Sequence, residues 1–112
     1  MENIIRTEEL KSILEQPNYG KSKDIDIVLF DVRRKSDYEA EPSLISGATW
    51  QDPEQIENWS KTILENKQVV IYCVKGGSVS KSVSEYLNNK QIKTSYLEGG
   101  IKAWKDSGGE VS

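Results

Sequence analysis

The chain has 112 residues, and its 15 Lys and Arg against 18 Asp and Glu give a formal net charge of −3. This length fits a single domain over residues 1–112, and the mildly acidic balance without a basic run argues against nucleic-acid and acidic-membrane partners. The sequence has no His and one Cys, which excludes imidazole catalysis, His-ligated metal sites and an internal disulfide. No signal-peptide core or membrane-length apolar stretch is present, so we expect a cytoplasmic protein.

The first half of the chain predicts two helices and two strands. Thr7 can cap a helix whose apolar residues fall on one face. Ile25–Phe30 is continuously apolar, as in a parallel strand buried on both faces, and Ala48–Trp50 suits a short strand. A second helix is expected after Asp52, with a proline at its first position and Gln55 placed to close a capping box.

The second half continues the alternation of strands and helices. Gln68–Tyr72 is a further apolar strand, and a helix is predicted from about Ser78 to Asn89. Lys93–Leu97 indicates another strand, and Ile101–Lys105 a closing helix. Strands that alternate with helices and are apolar on both sides predict an α/β fold, with a mostly parallel sheet flanked by helices on both faces.

Folds of this class bind ligands beyond the carboxyl ends of their strands. Three short segments lie at such positions: Asp31–Arg34, Cys73–Ser78 and Glu98–Gly100. Each has polar groups or glycine where a predicted strand stops, and the only cysteine lies in the second. The sequence therefore predicts a site around Cys73.

The segment after Cys73 is suited to holding an anion. Gly76 and Gly77 let successive backbone N–H groups point inward, and a predicted helix N-terminus follows. Lys75 adds a positive charge nearby. These features favour a thiolate at Cys73, and a thiolate attacks without a general base. A lone cysteine at a strand end is more often a small core residue, but the glycines of this loop favour the reactive interpretation.

Several segments resemble the rhodanese family of sulfurtransferases, in the family's order and over nearly the whole chain. Val70–Ser78 is similar to the family's active-site segment, and Tyr96–Trp104 to its closing segment. Leu29–Arg33 resembles the Asp-Val-Arg strand end, and a weaker match runs from Asp37 to Ala48. The resemblance implies a sheet of five parallel strands with helices on both faces.

The resemblance also implies a mechanism. Cys73 would take a sulfane sulfur from thiosulfate or a similar small anionic donor and hold it as a persulfide. It would then pass the sulfur to a thiol, to cyanide or to a sulfur-acceptor protein. The backbone amides from Val74 to Ser78 would cradle the persulfide, Lys75 would attract the donor, and the Ser78 hydroxyl could donate to the outer sulfur. No cofactor or metal is implied, and we expect a monomer.

Five further residues have two interpretations or a supporting role. Arg33 or Arg34 would steer anions into the site, although adjacent arginines are also ordinary on a surface turn. Asp31 would orient Arg33 or the cysteine loop, or would be a solvated or helix-capping carboxylate. Gly99 and Gly100 are expected to permit a tight turn against the cysteine loop.

Departures from the family pattern leave the donor and the turnover rate open. Val74 replaces an Arg of thiosulfate-using members, and Leu44 stands where the family commonly has His. One alternative function is a non-catalytic module that binds a partner or senses oxidants. A redox sensor would need an external partner, because the chain has no second Cys. Another is a phosphatase or arsenate reductase of a related fold. That chemistry requires an Arg at the sixth position after the cysteine, and the residue there is Val79.

Overall fold

In the part of the chain that the structure describes, five strands form one sheet, in which every neighbouring pair is parallel. They are β1 (Ile4–Ile5), β2 (Ile27–Asp31), β3 (Thr49–Trp50), β4 (Gln68–Tyr72) and β5 (Thr94–Leu97), in the spatial order β1-β5-β4-β2-β3. The computed structural model describes residues 4–14, 27–63, 67–75 and 77–111. The predicted α/β class and parallel sheet are confirmed.

The described residues form five helices between and after these strands: α1 (Thr7–Leu14), α2 (Lys35–Ala40), α3 (Ile56–Trp59), α4 (Ser78–Asn89) and α5 (Gly100–Asp106). Short 3₁₀ turns precede and follow α3, at Pro53–Gln55 and Ser60–Thr62. No helix in the described part of the chain is long and apolar enough to span a bilayer.

The central strand β4 supplies apolar side chains to both faces of the sheet. Because successive side chains of a strand point to opposite faces, Val70 and Tyr72 belong to one core, and Val69 and Ile71 to the other. The first core packs against α1 and α5, and the second against α3 and α4. The prediction that helices cover both faces is therefore confirmed. The helical residues of the two cores are Leu10, Ile101 and Trp104 on one face, and Trp59, Val83 and Leu87 on the other.

The segment after Asp52 differs from its prediction. The Asp52 carboxylate caps the first turn as expected, since its Oδ1 accepts a hydrogen bond from the Glu54 N–H at 2.9 Å. Gln55 does not close a capping box; its Oε1 accepts from Asn58 Nδ2 at 2.8 Å. The result is a 3₁₀–α–3₁₀ segment rather than one regular helix.

The register of the sheet places the ends of β2 and β4 side by side. Asp31 is paired with Tyr72, and the Val32 N–H donates to the Tyr72 carbonyl at 2.8 Å. The segments that follow these two strands therefore leave the sheet at the same edge. Cys73 lies at that edge.

Candidate active site

Cys73 follows β4 directly; its thiol is free, and the residue as a whole is 5% exposed. Since β4 lies between β2 and β5, the cysteine is near the centre of the sheet's carboxyl edge. Only a narrow group can reach the side chain of a residue with so little exposed surface. The site is thus suited to a small reagent, or to a slender extension of a larger one.

The first turn of α5 holds the main chain of the cysteine loop. The Ile101 N–H donates to the Cys73 carbonyl at 2.9 Å, and the Lys102 N–H donates to the Val74 carbonyl at 3.1 Å. Gly100 has a φ of 63°, and a Cβ at this position would overlap both of those carbonyl oxygens. The close contact between α5 and the loop therefore depends on the absence of a side chain at Gly100.

Gly99 precedes this contact and begins the turn. Its φ is 76°, in the left-handed region that favours glycine, and a Cβ there would lie 2.5 Å from the Ala103 Cβ. The two glycines thus let β5 pass directly into α5 next to the cysteine loop.

The described residues of the loop after Cys73 are more exposed than the cysteine. Val74 is half-buried, whereas Lys75, Gly77 and Ser78 are exposed. Gly76, which the sequence analysis assigns to the cradle, lies outside the described residues. Gly77 precedes α4, and no described side chain caps this helix N-terminus. The amides of the first turn of α4 thus have no side-chain acceptor.

Arg33 differs from the substrate-binding role expected for it. It is 3% exposed and forms an ion pair with Asp31, whose Oδ2 accepts from Arg33 Nε at 2.7 Å. Its two remaining guanidinium nitrogens donate to the carbonyls of Glu41 and Ser43, at 2.8 and 2.9 Å. A buried guanidinium with every nitrogen occupied is not available to a substrate. Arg33 instead fixes the segment between β2 and β3.

Asp31 lies at the end of β2, beside Tyr72 of β4. It is fully buried, and its two oxygens accept from the backbone N–H and from Nε of Arg33. Burial raises the pKa of Asp31, against the opposing effect of the bonds from Arg33. A weaker lowering of the same pKa comes from the hydroxyl of Tyr72, the residue that precedes Cys73.

Tyr72 is a supporting residue that the sequence analysis did not identify. It is fully buried, and its oxygen accepts a hydrogen bond from the Ile45 N–H at 3.1 Å. Burial, followed by the nearby charge of Asp31, raises the pKa of the Tyr72 hydroxyl, which stays protonated. The sequence feature that could have identified Tyr72 is its hydroxyl within an otherwise apolar strand, because a buried phenol requires a hydrogen-bond partner.

Arg34 lies in a different environment from its neighbour. It is exposed, and it lines a cavity of about 600 Å³ together with Ser78 at the end of the cysteine loop. Cys73 itself does not line this cavity. The other charged residues around the cavity are Lys35, Asp52 and Glu54. The sequence did not predict that the positive and negative residues of this cavity lie close together, because the two segments that carry them are separated along the chain.

Two other kinds of site find no support in the geometry. No group of three or more Cys, Asp or Glu side chains that could hold a metal ion occurs within residues 4–14, 27–63, 67–75 and 77–111. Val79, at the position where a phosphatase of related fold requires Arg, is a half-buried aliphatic residue of α4.

Comparisons with known proteins agree with this architecture. The family of rhodanese-like domains matches residues 7–107. The thiosulfate sulfurtransferase GlpE of Coxiella burnetii (strain RSA 493 / Nine Mile phase I) is 36% identical over 84 residues, or 74% of this chain and 76% of that protein. A rhodanese-like domain protein from Staphylococcus aureus has a TM-score of 0.73 at 29% identity, with 100% and 99% of the two chains covered. A rhodanese-related protein from Thermoplasma volcanium has a TM-score of 0.78 at 18% identity, covering 98% and 97%, which shows the shared fold alone.

Proposed function

Because the chain belongs to the rhodanese-like domain family, we propose that it is a sulfurtransferase that carries sulfur on Cys73 as a persulfide. The observation that carries this proposal is the position of the only cysteine. It lies directly after the central strand, in a loop whose main chain is held by the first turn of α5. The similarity to a thiosulfate sulfurtransferase supports the same reaction class.

The first half-reaction loads the cysteine. The Cys73 thiolate attacks the outer sulfur of thiosulfate, and a new sulfur–sulfur bond forms. The sulfur–sulfur bond of thiosulfate breaks, and sulfite leaves with the electron pair. One thiolate and one thiosulfate dianion thus become one persulfide anion and one sulfite dianion. No proton moves, which fits a chain that has no His to act as a base.

The second half-reaction returns the cysteine to its starting state. A thiolate or cyanide attacks the outer sulfur of the persulfide, and the electron pair of the broken bond stays on Cys73. The products are the Cys73 thiolate and either thiocyanate or the persulfide of the acceptor. The charge is the same before and after the transfer.

Two cations and the loop amides have distinct roles in this scheme. Lys75 is exposed beside Cys73, and Arg34 faces the neighbouring cavity, so both attract an anionic donor. The amides between Val74 and Ser78 stabilise the charge on the outer sulfur.

The test is a comparison of wild-type protein with Cys73→Ser in thiosulfate and cyanide. We expect wild-type protein to form thiocyanate and sulfite in equal amounts, and Cys73→Ser to form neither above the uncatalysed rate. Lys75→Gln should keep activity but need more thiosulfate, by about two- to fivefold in KM for an exposed charge. Equal rates for wild-type protein and Cys73→Ser would contradict a cysteine-borne persulfide and favour a non-catalytic binding module.

A further inference from the structure

Helix α4 buries a serine hydroxyl that has no hydrogen-bond partner. Ser80 is fully buried, and among the described residues its Oγ is the only buried side-chain oxygen or nitrogen without a partner. Ser84, one turn further along the same buried side of the helix, differs, because its Oγ accepts from Asn88 Nδ2 at 3.2 Å. A buried hydroxyl that has lost its bonds to water without replacing them lowers the stability of the fold. Ser80 therefore has a hydrogen bond that it can still donate.

Ser80 lies at the end of α4 that is nearest the cysteine loop. The buried residues of this helix form one stripe, which consists of Ser80, Val83, Ser84 and Leu87. Because α4 connects the parallel strands β4 and β5, it begins at their carboxyl edge and runs back towards their amino ends. Val83 and Leu87 pack against the sheet, so Ser80, which precedes both, lies towards its carboxyl edge.

The side chain of Cys73 lies on the side of the sheet that α4 covers. Val69 and Ile71 belong to the core that packs against α4, and the alternation of side chains along the strand places Cys73 on the same side. The neighbouring strand agrees. β2 and β4 end in register, and Val32, the first residue after β2, also belongs to this core. Cys73 and Ser80 therefore share one side and one edge of the sheet.

The two side chains do not interact in the unloaded protein. Cys73 is a free thiol, and the Ser80 hydroxyl makes no hydrogen bond to its sulfur. A persulfide would extend the cysteine by a second sulfur, about 2 Å beyond the first, and that outer sulfur carries a negative charge. Loading thus adds a charged hydrogen-bond acceptor on the side of the sheet where the hydroxyl lacks one.

We propose that Ser80 is a persulfide-binding residue, whose hydroxyl donates a hydrogen bond to the outer sulfur of loaded Cys73. This inference rests on the proposed sulfur transfer through that cysteine. The hydroxyl stabilises the loaded form relative to the free thiolate, because the unloaded protein gives it no acceptor. The same residue lowers the stability of the unloaded fold and raises that of the loaded one.

The first test is the loading equilibrium, in which the Cys73 thiolate and thiosulfate are balanced against the persulfide and sulfite. Intact mass gives the loaded fraction over a series of thiosulfate-to-sulfite ratios in the absence of oxygen. We expect Ser80→Ala to lower the equilibrium constant about tenfold or more, as for the loss of a hydrogen bond to a charged group. Ser84→Ala is the matched control, since its hydroxyl already has a partner, and should keep the wild-type constant.

The outcome of this equilibrium separates the inference from the proposed function. If wild-type protein and Ser80→Ala load with the same constant, the inference is overturned and the sulfur transfer stands. If thiosulfate does not load wild-type protein, thiosulfate is contradicted as the donor, and the role of Ser80 is tested with another reagent. Inorganic polysulfide gives one sulfur to the Cys73 thiolate and leaves one atom shorter, so it yields the same persulfide.

Urea unfolding of protein loaded with polysulfide provides that second test. Ser80→Ala should be more stable than wild-type protein in the unloaded form, where the hydroxyl is unpaired. In the loaded form this gain should disappear or become a loss, whereas Ser84→Ala should change both forms equally. A gain of the same size in the two forms of Ser80→Ala would contradict the hydrogen bond to the outer sulfur. Failure of both reagents to load wild-type protein would contradict the persulfide itself, and the role of Ser80 with it.

Discussion

Two adjacent arginines after β2 have different surroundings. Arg33 is buried in an ion pair with Asp31, whereas Arg34 is exposed and lines the cavity beside Ser78. The sequence offers either residue as the one that faces anions, because both are equally basic. What separates them is the carboxylate two positions before Arg33, which draws its guanidinium inward. In the proposed function, Arg34 is therefore the arginine available to attract an anion.

Gly100 is the residue on which contact between α5 and the cysteine loop most depends. We predict that Gly100→Ala lowers the stability of the protein through two effects. A side chain at a left-handed φ costs about 1–2 kcal/mol, and overpacking against the loop carbonyls costs roughly 1–3 kcal/mol more. The matched control is Gly108→Ala, which also has a positive φ, of 84°, but whose Cβ would meet no atom within 4 Å.

Urea denaturation of the two glycine variants measures this difference. Gly108→Ala should lose only the conformational part and keep full sulfur loading. Gly100→Ala should lose more stability and load Cys73 poorly. Equal losses of stability in both variants would mean that the contact with the loop contributes little.

The hydroxyl of Tyr72 provides a pH-dependent prediction. Tyr72→Phe removes a partner from the Ile45 N–H and from Asp31, at an expected cost of about 1–3 kcal/mol. Because the folded pKa of Asp31 is raised, its favourable contribution is complete below its unfolded value of 3.8 and is lost as pH rises through the folded pKa. Without the hydroxyl that pKa rises further, so the variant should lose more stability at neutral pH than near pH 3.8.

Unfolding free energies of wild-type protein and Tyr72→Phe at these two pH values provide the test. A loss of equal size at both would show that the hydroxyl does not interact with the Asp31 carboxylate.

At the scale of elements, the sequence predicts the strongly apolar segments well. The bounds of β4 and α4 are as predicted, since both have a clear apolar pattern and α4 follows glycine. Two elements were not predicted. β1 has only two residues, which are too few to show the alternation of apolar and polar residues that predicts a strand. It is stabilised by parallel pairing with β5. α2 has no buried residue, so it has no apolar stripe to detect.

Helix α4 contains a buried polar side chain, from which a further prediction follows. Ser80 is fully buried, and its Oγ has no hydrogen-bond partner. Ser80→Ala should therefore stabilise the protein, by about 1 kcal/mol, because an unpaired buried hydroxyl is removed. Ser82→Ala on the exposed side of the same helix controls for the higher helix propensity of Ala.

Thermal or urea unfolding of these two serine variants is the measurement. A larger gain for Ser80→Ala than for Ser82→Ala is expected. A loss of stability in Ser80→Ala alone would indicate that the hydroxyl has a role in the folded state.

At the scale of the whole molecule, the parallel sheet determines where the site lies. The sequence predicted that Cys73 lies at the carboxyl edge of the sheet, because strand ends and glycines are local features of a sequence. The charged cavity was not predictable, since Arg34, Glu54 and Tyr86 come together only when three separate segments pack. That residues 1–112 form a single domain remains a prediction.

The most direct test of the central claim is the intact mass of reduced protein after incubation with thiosulfate. We predict a gain of one sulfur atom, reversed by cyanide and absent in Cys73→Ser. Since Cys73 is the only thiol in the chain, the added sulfur can be assigned to it without fragmentation. An unchanged mass in wild-type protein whose thiol still reacts with a small alkylating agent would contradict the account.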